Sequence, residues 1–295
     1  MAPVLDYHVH LWPHGKPASP VTVGQLAALC DRAASAGVTE VAVTEHLFRF
    51  AQADAALGGF WEDDPSPVLR GAMAAYWSEH ATADLDAYVD AVGRAKAAGL
   101  PVLLGLEVDH YAGRMDKVAA VLDGYPFDVL LGAVHWLGAW GFDNWTAPAF
   151  GGEWDARRTD DVWDAYAGAV EELAAAGVCD VLAHPDLPKV AGRAGVPAPE
   201  VYDRLVEAVA AAGLAAEVSS AGWRKPVGEH YPAPDLLQRF HRRGVPVTTA
   251  SDAHVPAHVG RDLGRVVDLV EAAGYHEVTG FAGRARRPVA LRRAG

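Results

Sequence analysis

The chain begins MAPVLDYHVHLWPHG, which places Asp6, His8, His10 and His14 in one short stretch around an apolar run. Alternate residues of a strand share a face, so His8 and His10 project to the same side, and Pro13 turns the chain so that His14 comes back over the strand end. Similar side chains close other apolar runs: Glu45 and His46 in VAVTEH, Glu107 and Asp109 in VLLGLEVD, His135 in VLLGAVH, His184 in VLAHPD, and Asp252 and His254 in TTASDAH. A lone strand-end histidine is ordinarily a structural hydrogen-bonding residue. Its recurrence at one run after another points instead to metal ligation. Neutral imidazole and carboxylate suit divalent zinc, iron or manganese, and the lack of thiolate ligands argues against a structural zinc cage. His8, His10, His14, His46, Glu107, His135, His184, Asp252 and His254 are more donors than one ion accepts. The expected site is therefore catalytic and holds two to three divalent ions, with Glu107 as the bridging carboxylate.

Such a site needs elements that bring distant segments together. The phrases SAGVTEVAVTEH, AAGLPVLLGLE, AAGVCDVLAHP, AAGLAAEVSS and RRGVPVTTASDAH each read as a helix end, a turn and a strand. Gly37, Gly99, Gly177, Gly213 and Gly244 stand where a helix needs a left-handed residue to stop. The segments before them, 21–36, 84–98, 160–176, 199–212 and 233–243, carry apolar residues at helical spacing. With VLDYHVH and FDVLLGAVH the count reaches about seven strands, most followed by a helix. Continuously apolar strands between helices predict a parallel sheet closed into a barrel, whose strand ends share one rim. Residues from His8 to His254 would meet in that bowl.

Composition narrows the partners. The charge is −13, from 25 basic and 38 acidic residues, which disfavours nucleic acid. The basic run RARRPVALRR, Arg284 to Arg293, reads as a solvated terminus. Apolar residues make up 51% of the chain, enough for a large core, and residues 1–295 are expected to form a single catalytic domain. Cys30 and Cys179 imply no disulfide framework, no stretch approaches ~20 uninterrupted apolar residues, and the start of the chain lacks a basic-then-apolar pattern, so the expected setting is cytoplasmic with no membrane partner. Segment 47–83 is longer than a usual strand-to-helix connection and reads as a lid or a structural insertion. The tryptophans at 61, 77, 136, 140, 145 and 154 read equally as core or pocket wall. His80, His110, His230, His241, His258 and His276 lack the strand-end pattern and are read as surface or core residues. In EVSSAGWRKP a strand end is followed by Ser219, Arg224 and Lys225, cations suited to phosphate beside a metal bowl.

In chain order, DYHVHLWPHG, TEH, GLEVD, GAVHW with GFDN, AHPDL, EVSSAGWRKP with EHYP, and SDAH resemble the PHP superfamily, named for polymerase and histidinol phosphatase, and most closely its histidinol-phosphatase branch. The resemblance implies a distorted (β/α)7 barrel with up to three metals at the C-terminal ends of the strands. It implies one ion on His8, His10, Glu107 and Asp252, a second on Glu107, His135 and His184, and a third on His14, His46 and His254. It further implies hydrolysis of a small phosphate ester, L-histidinol phosphate, in histidine biosynthesis. Glu107, Asp252 and Arg224 are the expected catalytic residues, with Arg224, Lys225, Arg193 and Ser219 around the phosphate. Trp12, Ala133 and Ser219 stand where many members carry Cys, Ser and Asn, departures that spare every ligand but lie near the alcohol of the substrate. Rival readings are a phosphatase of another small monoester, a cyclic-phosphate or phosphodiester hydrolase, a C–N hydrolase of the amidohydrolase type, and a non-catalytic metal-binding module. No lysine lies in an expected strand to bridge metals as amidohydrolases often require, and the filled ligand set with Arg224 favours an enzyme.

Overall fold

The structure is a computed structural model and describes residues 3–291. Seven strands form one parallel sheet: β1 (Leu5–Val9), β2 (Glu40–His46), β3 (Val102–Asp109), β4 (Val129–Ala133), β5 (Val181–Leu182), β6 (Ala215–Ser219) and β7 (Val247–Ala250), hydrogen-bonded in that order. Every residue of β1, β4, β6 and β7 is buried, as strands covered on both faces require. The sheet curls until its edges meet. A bridge joins Val9 to Ala253, the His10 amide donates to the Ala253 carbonyl at 2.8 Å, and Thr249 Oγ1 donates to the Leu5 carbonyl at 2.6 Å.

Helices cover the outside where the apolar periodicity predicts them: Val23–Ser35, Leu85–Ala97, Thr159–Ala175, Pro199–Ala211 and Pro234–Arg243. The glycine after each takes a positive φ, between 65° and 84°, so these residues stop the helices as expected. Strand β5 is the shortest, because His184 follows it at φ 26° and breaks the extended path. Among the described residues no helix is long and apolar enough to cross a membrane.

Segment 47–83 is folded. Its ends are tied by the Ala51 amide to the Ala83 carbonyl at 2.8 Å and the Ala83 amide to the Arg49 carbonyl at 2.9 Å. Between them lie helices Ala51–Leu57 and Pro67–His80, the latter capped by Ser66 Oγ accepting from the Leu69 amide. Met73 and Trp77 are buried together with Phe48, and Asp64 reaches out to accept from the Ala139 amide at 2.8 Å.

The basic run near the C-terminus differs from the expected solvated terminus. Residues Glu277–Ala282 (β8) and Ala285–Ala290 (β9) form an antiparallel hairpin that spans the starts of the barrel strands, opposite the donor-bearing rim. Arg287 pairs with Glu40, and Arg284 reaches Asp180 at 3.0 Å and the Val178 carbonyl at 2.8 Å. The Arg284 amide donates to the Asp128 carbonyl, and the Phe281 amide to Tyr7 Oη. Thus much of the charge fastens the barrel bottom; Arg292 and Arg293 lie outside the described residues. Arg284→Ala should lower the thermal midpoint by about 2–4 °C, the shift expected when a part-exposed charge contact worth about 1 kcal/mol is lost. Differential scanning calorimetry would show it, and an unchanged metal content would confirm that the hairpin acts only on stability.

Candidate metal centre

The donors converge at the C-terminal rim. Glu107, near the end of β3, is the hub: its Oε2 lies 3.2 Å from His8 Nε2, 3.4 Å from His10 Nε2 and 2.8 Å from His46 Nδ1. Its Oε1 lies 2.8 Å from His184 Nε2 and 3.3 Å from His135 Nε2. Asp252, just past β7, places Oδ1 3.8 and 3.9 Å from the His10 and His8 nitrogens and 3.3 Å from His254 Nδ1. His254 stacks between His10, at 4.0 Å between ring centroids, and His14, at 3.5 Å. All nine residues expected to ligate metal are therefore gathered in one place. Two hold strained backbone, His184 at φ 26° and Asp252 at φ 48°, the left-handed region that functional sites often retain.

Buried carboxylates behind the cluster orient it. Glu217 Oε2 lies 2.7 Å from His8 Nδ1 and Asp109 Oδ1 lies 2.6 Å from His135 Nδ1. Each accepts the proton of that nitrogen, which turns the Nε2 lone pair inward. Glu45 accepts from the amides of Leu11 and Trp12, fixing the segment that leads to His14. Asp109 and Glu45 show the strand-end signal, whereas Glu217 lies earlier in its strand and gives none.

The cluster is electrostatically unsatisfied as protein alone. His8 Nε2 and His10 Nε2 face one another at 3.1 Å, and in the neutral ring, with Nδ1 donating to Glu217, His8 Nε2 would carry only a lone pair. His10 Nδ1, His46 Nδ1, His254 Nε2 and Glu107 Oε2 are buried without a hydrogen bond. Burial opposes charge on His8 and His135, but Glu107, together with Glu217 and Asp252 at His8 and Asp109 at His135, outweighs it and raises both well above the usual imidazole range, so that as protein alone the carboxylates draw protons to the place a metal cation would take. Burial holds His46 and His254 well below that range. Burial also opposes ionisation of Asp252 and Glu107, and the neighbouring imidazoles reverse it for both. Inward lone pairs around shared carboxylates call for cations. Three donor atoms come within 4.8 Å of one another in each of the groups His8/His10/Asp252, His8/Glu107/His184, His10/His46/His254 and His46/Asp109/His135. The residues present thus fit bound divalent metal.

A cavity of about 520 Å³ opens over the cluster. Phe48, Met73, Tyr76, Glu79 and His80 of segment 47–83 form one wall; Trp136, Asp143, Trp145 and Phe150 form another; Lys225 and Tyr231 lie on its lining too. His80, read from sequence as outside the site, thus borders the cavity. The residues expected around phosphate are divided. Lys225 lines the cavity, its ammonium 5.8 Å from the Trp145 ring centroid. Arg224 is not among the lining residues: a 3-10 turn over Ala221–Arg224 directs its fork to the carbonyls of Ser220, at 3.3 Å, and Ser251. There it braces the backbone next to Asp252. Ser219 is buried, with Oγ accepting from the Ala221 amide, and Arg193 lies outside, pairing with Asp155 at 3.2 Å. Asp143 sits in the GFDN loop and was not read as a site residue.

Comparison with known proteins agrees with this geometry. Residues 6–221 match the PHP domain family. A Deinococcus radiodurans protein named "Probable histidinol-phosphatase" is 38% identical over 242 residues, 81% of this chain and 91% of the relative. The crystal structure of histidinol phosphate phosphatase from Lactococcus lactis, complexed with zinc, L-histidinol and phosphate, superposes with a TM-score of 0.68 at 18% identity, covering 96% of this chain and 98% of that one. A Listeria monocytogenes protein proposed to have the same activity gives 0.69 at 18% identity, over 88% and 99% of the two chains. The barrel with its donor-lined rim, the family match and the close relative together place this chain in the PHP family, on its histidinol-phosphatase branch, as a hydrolase of phosphoric esters.

Proposed function

We propose that the substrate is L-histidinol phosphate, released as L-histidinol and inorganic phosphate in histidine biosynthesis, and that two to three ions of zinc, iron or manganese occupy the centre. The substrate reading is carried by the 38% identity to the Deinococcus relative, which extends over 91% of that protein. In this reading residues 1–295 form one catalytic domain, and segment 47–83 is the wall that covers the bowl. His8, His10, Glu107 and Asp252 hold one ion, Glu107 with His135 and His184 a second, and His14, His46 and His254 a third; the approach of both Glu107 oxygens to separate groups of imidazoles supports the bridging role.

The chemistry such ions supply is Lewis acidity toward water and toward phosphoryl oxygens. The protein's own residues do the rest. Glu217 and Asp109 hold His8 and His135 in the tautomer that ligates. Arg224 fixes the carbonyl next to Asp252, which acts as a positioning contact in place of the direct phosphate fork expected from sequence. Lys225 presents a cation to the phosphate from the cavity lining. The aromatic walls exclude water from the reacting group.

The test is a comparison of kcat/KM for L-histidinol phosphate and p-nitrophenyl phosphate, with elemental analysis of the same preparation. The expected result is a preference of about 100-fold or more for L-histidinol phosphate, since specific contacts to the alcohol contribute roughly 3 kcal/mol to the transition state, with more than one ion per chain. Slow, equal turnover of both esters would assign the site to another small phosphomonoester.

A further inference from the structure

Nearly every buried carboxylate around the centre has a partner in the protein. Asp109 and Glu217 hold ligand histidines, Glu45 holds backbone amides, and Asp186 accepts from the Ala233 amide and pairs with Lys189 at 2.8 Å. Asp143 is the exception: it lines the cavity, half-buried, and among the described residues no side chain or amide hydrogen-bonds or pairs with it. Its loop is nevertheless held firmly. Trp154 Nε1 donates to the Phe142 carbonyl at 2.9 Å, the Asn144 amide donates to the Gly141 carbonyl at 3.1 Å, and Asp64 clamps the preceding turn through the Ala139 amide. Burial pushes the carboxyl pKa up, and His135, His184 and Lys225 only partly offset it. A fixed carboxylate that faces the cavity with no protein donor is served by water alone, and a ligand that brings a donor can replace that water.

The cavity therefore has two chemically distinct parts: a metal-ligand floor with Lys225, suited to phosphate, and an acceptor on the aromatic wall, suited to a cation. We infer that Asp143 anchors a protonated amine on the alcohol portion of the substrate, so that the site selects phosphate esters of amino alcohols over neutral ones. This rests on the phosphatase reading of the cavity. Trp136 and Trp145, which line the same wall, offer ring faces for the rest of the alcohol.

The experiment uses the metal-loaded enzyme and three esters: L-histidinol phosphate, imidazolylpropyl phosphate, which lacks only the amine, and ethanolamine phosphate, which keeps the amine but lacks the ring. Wild-type enzyme should prefer L-histidinol phosphate over its deamino analogue by about 10- to 100-fold in kcat/KM, the range of one charge-assisted contact. Asp143→Asn should erase that preference, lowering kcat/KM on the aminated ester by a similar factor while changing the deamino ester less than about threefold. Inhibition by L-histidinol should weaken in parallel, and inhibition by inorganic phosphate and the metal content should stay unchanged. An equal fall on every ester would make Asp143 a catalytic or structural residue and overturn the inference, as would a wild-type enzyme that ignores the amine, a result that needs no variant. If wild-type enzyme instead favours ethanolamine phosphate over L-histidinol phosphate, the histidinol reading fails while the amine anchor stands.

Discussion

Glu107→Gln should lose metal and nearly all turnover together. Five imidazoles, His8, His10, His46, His135 and His184, approach the two oxygens of this one carboxylate within 2.8 to 3.4 Å. An amide keeps the shape but removes the charge and turns one oxygen into an NH2 donor, so at most one lone-pair-bearing atom remains to face two groups of ligands. The largest of the charges that outweigh burial at His8 and His135 also disappears: Glu217 and Asp109 remain on their Nδ1 atoms, but the nearest carboxylate to their inward Nε2 atoms is gone. The expected outcome is a drop in bound ions to about one per chain or fewer and a fall in kcat of roughly 1000-fold or more, about 4 kcal/mol of transition-state stabilisation. Elemental analysis and steady-state kinetics on the same sample decide it. A variant that keeps its full complement of ions and loses less than about threefold in kcat would reduce Glu107 to a hydrogen-bond acceptor for the histidines and remove the bridged centre.

The donors were legible because their signal is local and repeated. A histidine or carboxylate closing an apolar run needs only the strand to be parallel for its end to reach the common rim, and the helix, glycine, strand phrase supplies that parallel order. The cations were not legible in the same way. EVSSAGWRKP shows a strand end followed by Arg224 and Lys225, but which one faces the cavity depends on the tight turn over Ala221–Arg224, which swings Arg224 onto backbone carbonyls and delivers Lys225 to the lining. Asp143 was hidden for a related reason. It follows a ribbon of two-residue strands, Trp136–Leu137 and Trp140–Gly141, too short to give a periodic pattern, and its isolation appears only when its neighbours' partners are known. In the C-terminal hairpin, Pro288 and the arginines of β9 mask the strand; Pro is tolerated there because β9 is an edge.

The barrel seam gives the second large effect, on stability. Strand β1 and the segment after β7 meet through few backbone contacts, a single bridge made by the His10 amide to the Ala253 carbonyl at 2.8 Å and the Ala253 amide to the His8 carbonyl at 3.3 Å, so side chains must complete the closure. Asp6 does most of this. Its carboxylate is fully buried and accepts from the Ser251 amide at 2.8 Å, Ser251 Oγ at 2.6 Å and the Gly260 amide at 2.8 Å, joining β1 to the segment that carries Asp252 and His254. Asp6→Ala would leave three buried donors without an acceptor, at about 1–3 kcal/mol each before water or local movement relieves part of it. A net loss of roughly 3–5 kcal/mol, and a thermal midpoint lower by about 10 °C or more, is the expected result. Asp6→Asn keeps one acceptor oxygen but sets an NH2 against a donor, so it should fall between wild type and alanine. Because Asp6 lies two residues before His8, and Ser251 directly before Asp252, the loosened seam should also weaken metal retention in proportion to the lost stability. Thermal unfolding of the metal-loaded and chelator-treated proteins would separate the two contributions: a midpoint within about 2 °C of wild type in both states would mean that the backbone bridge alone holds the barrel shut.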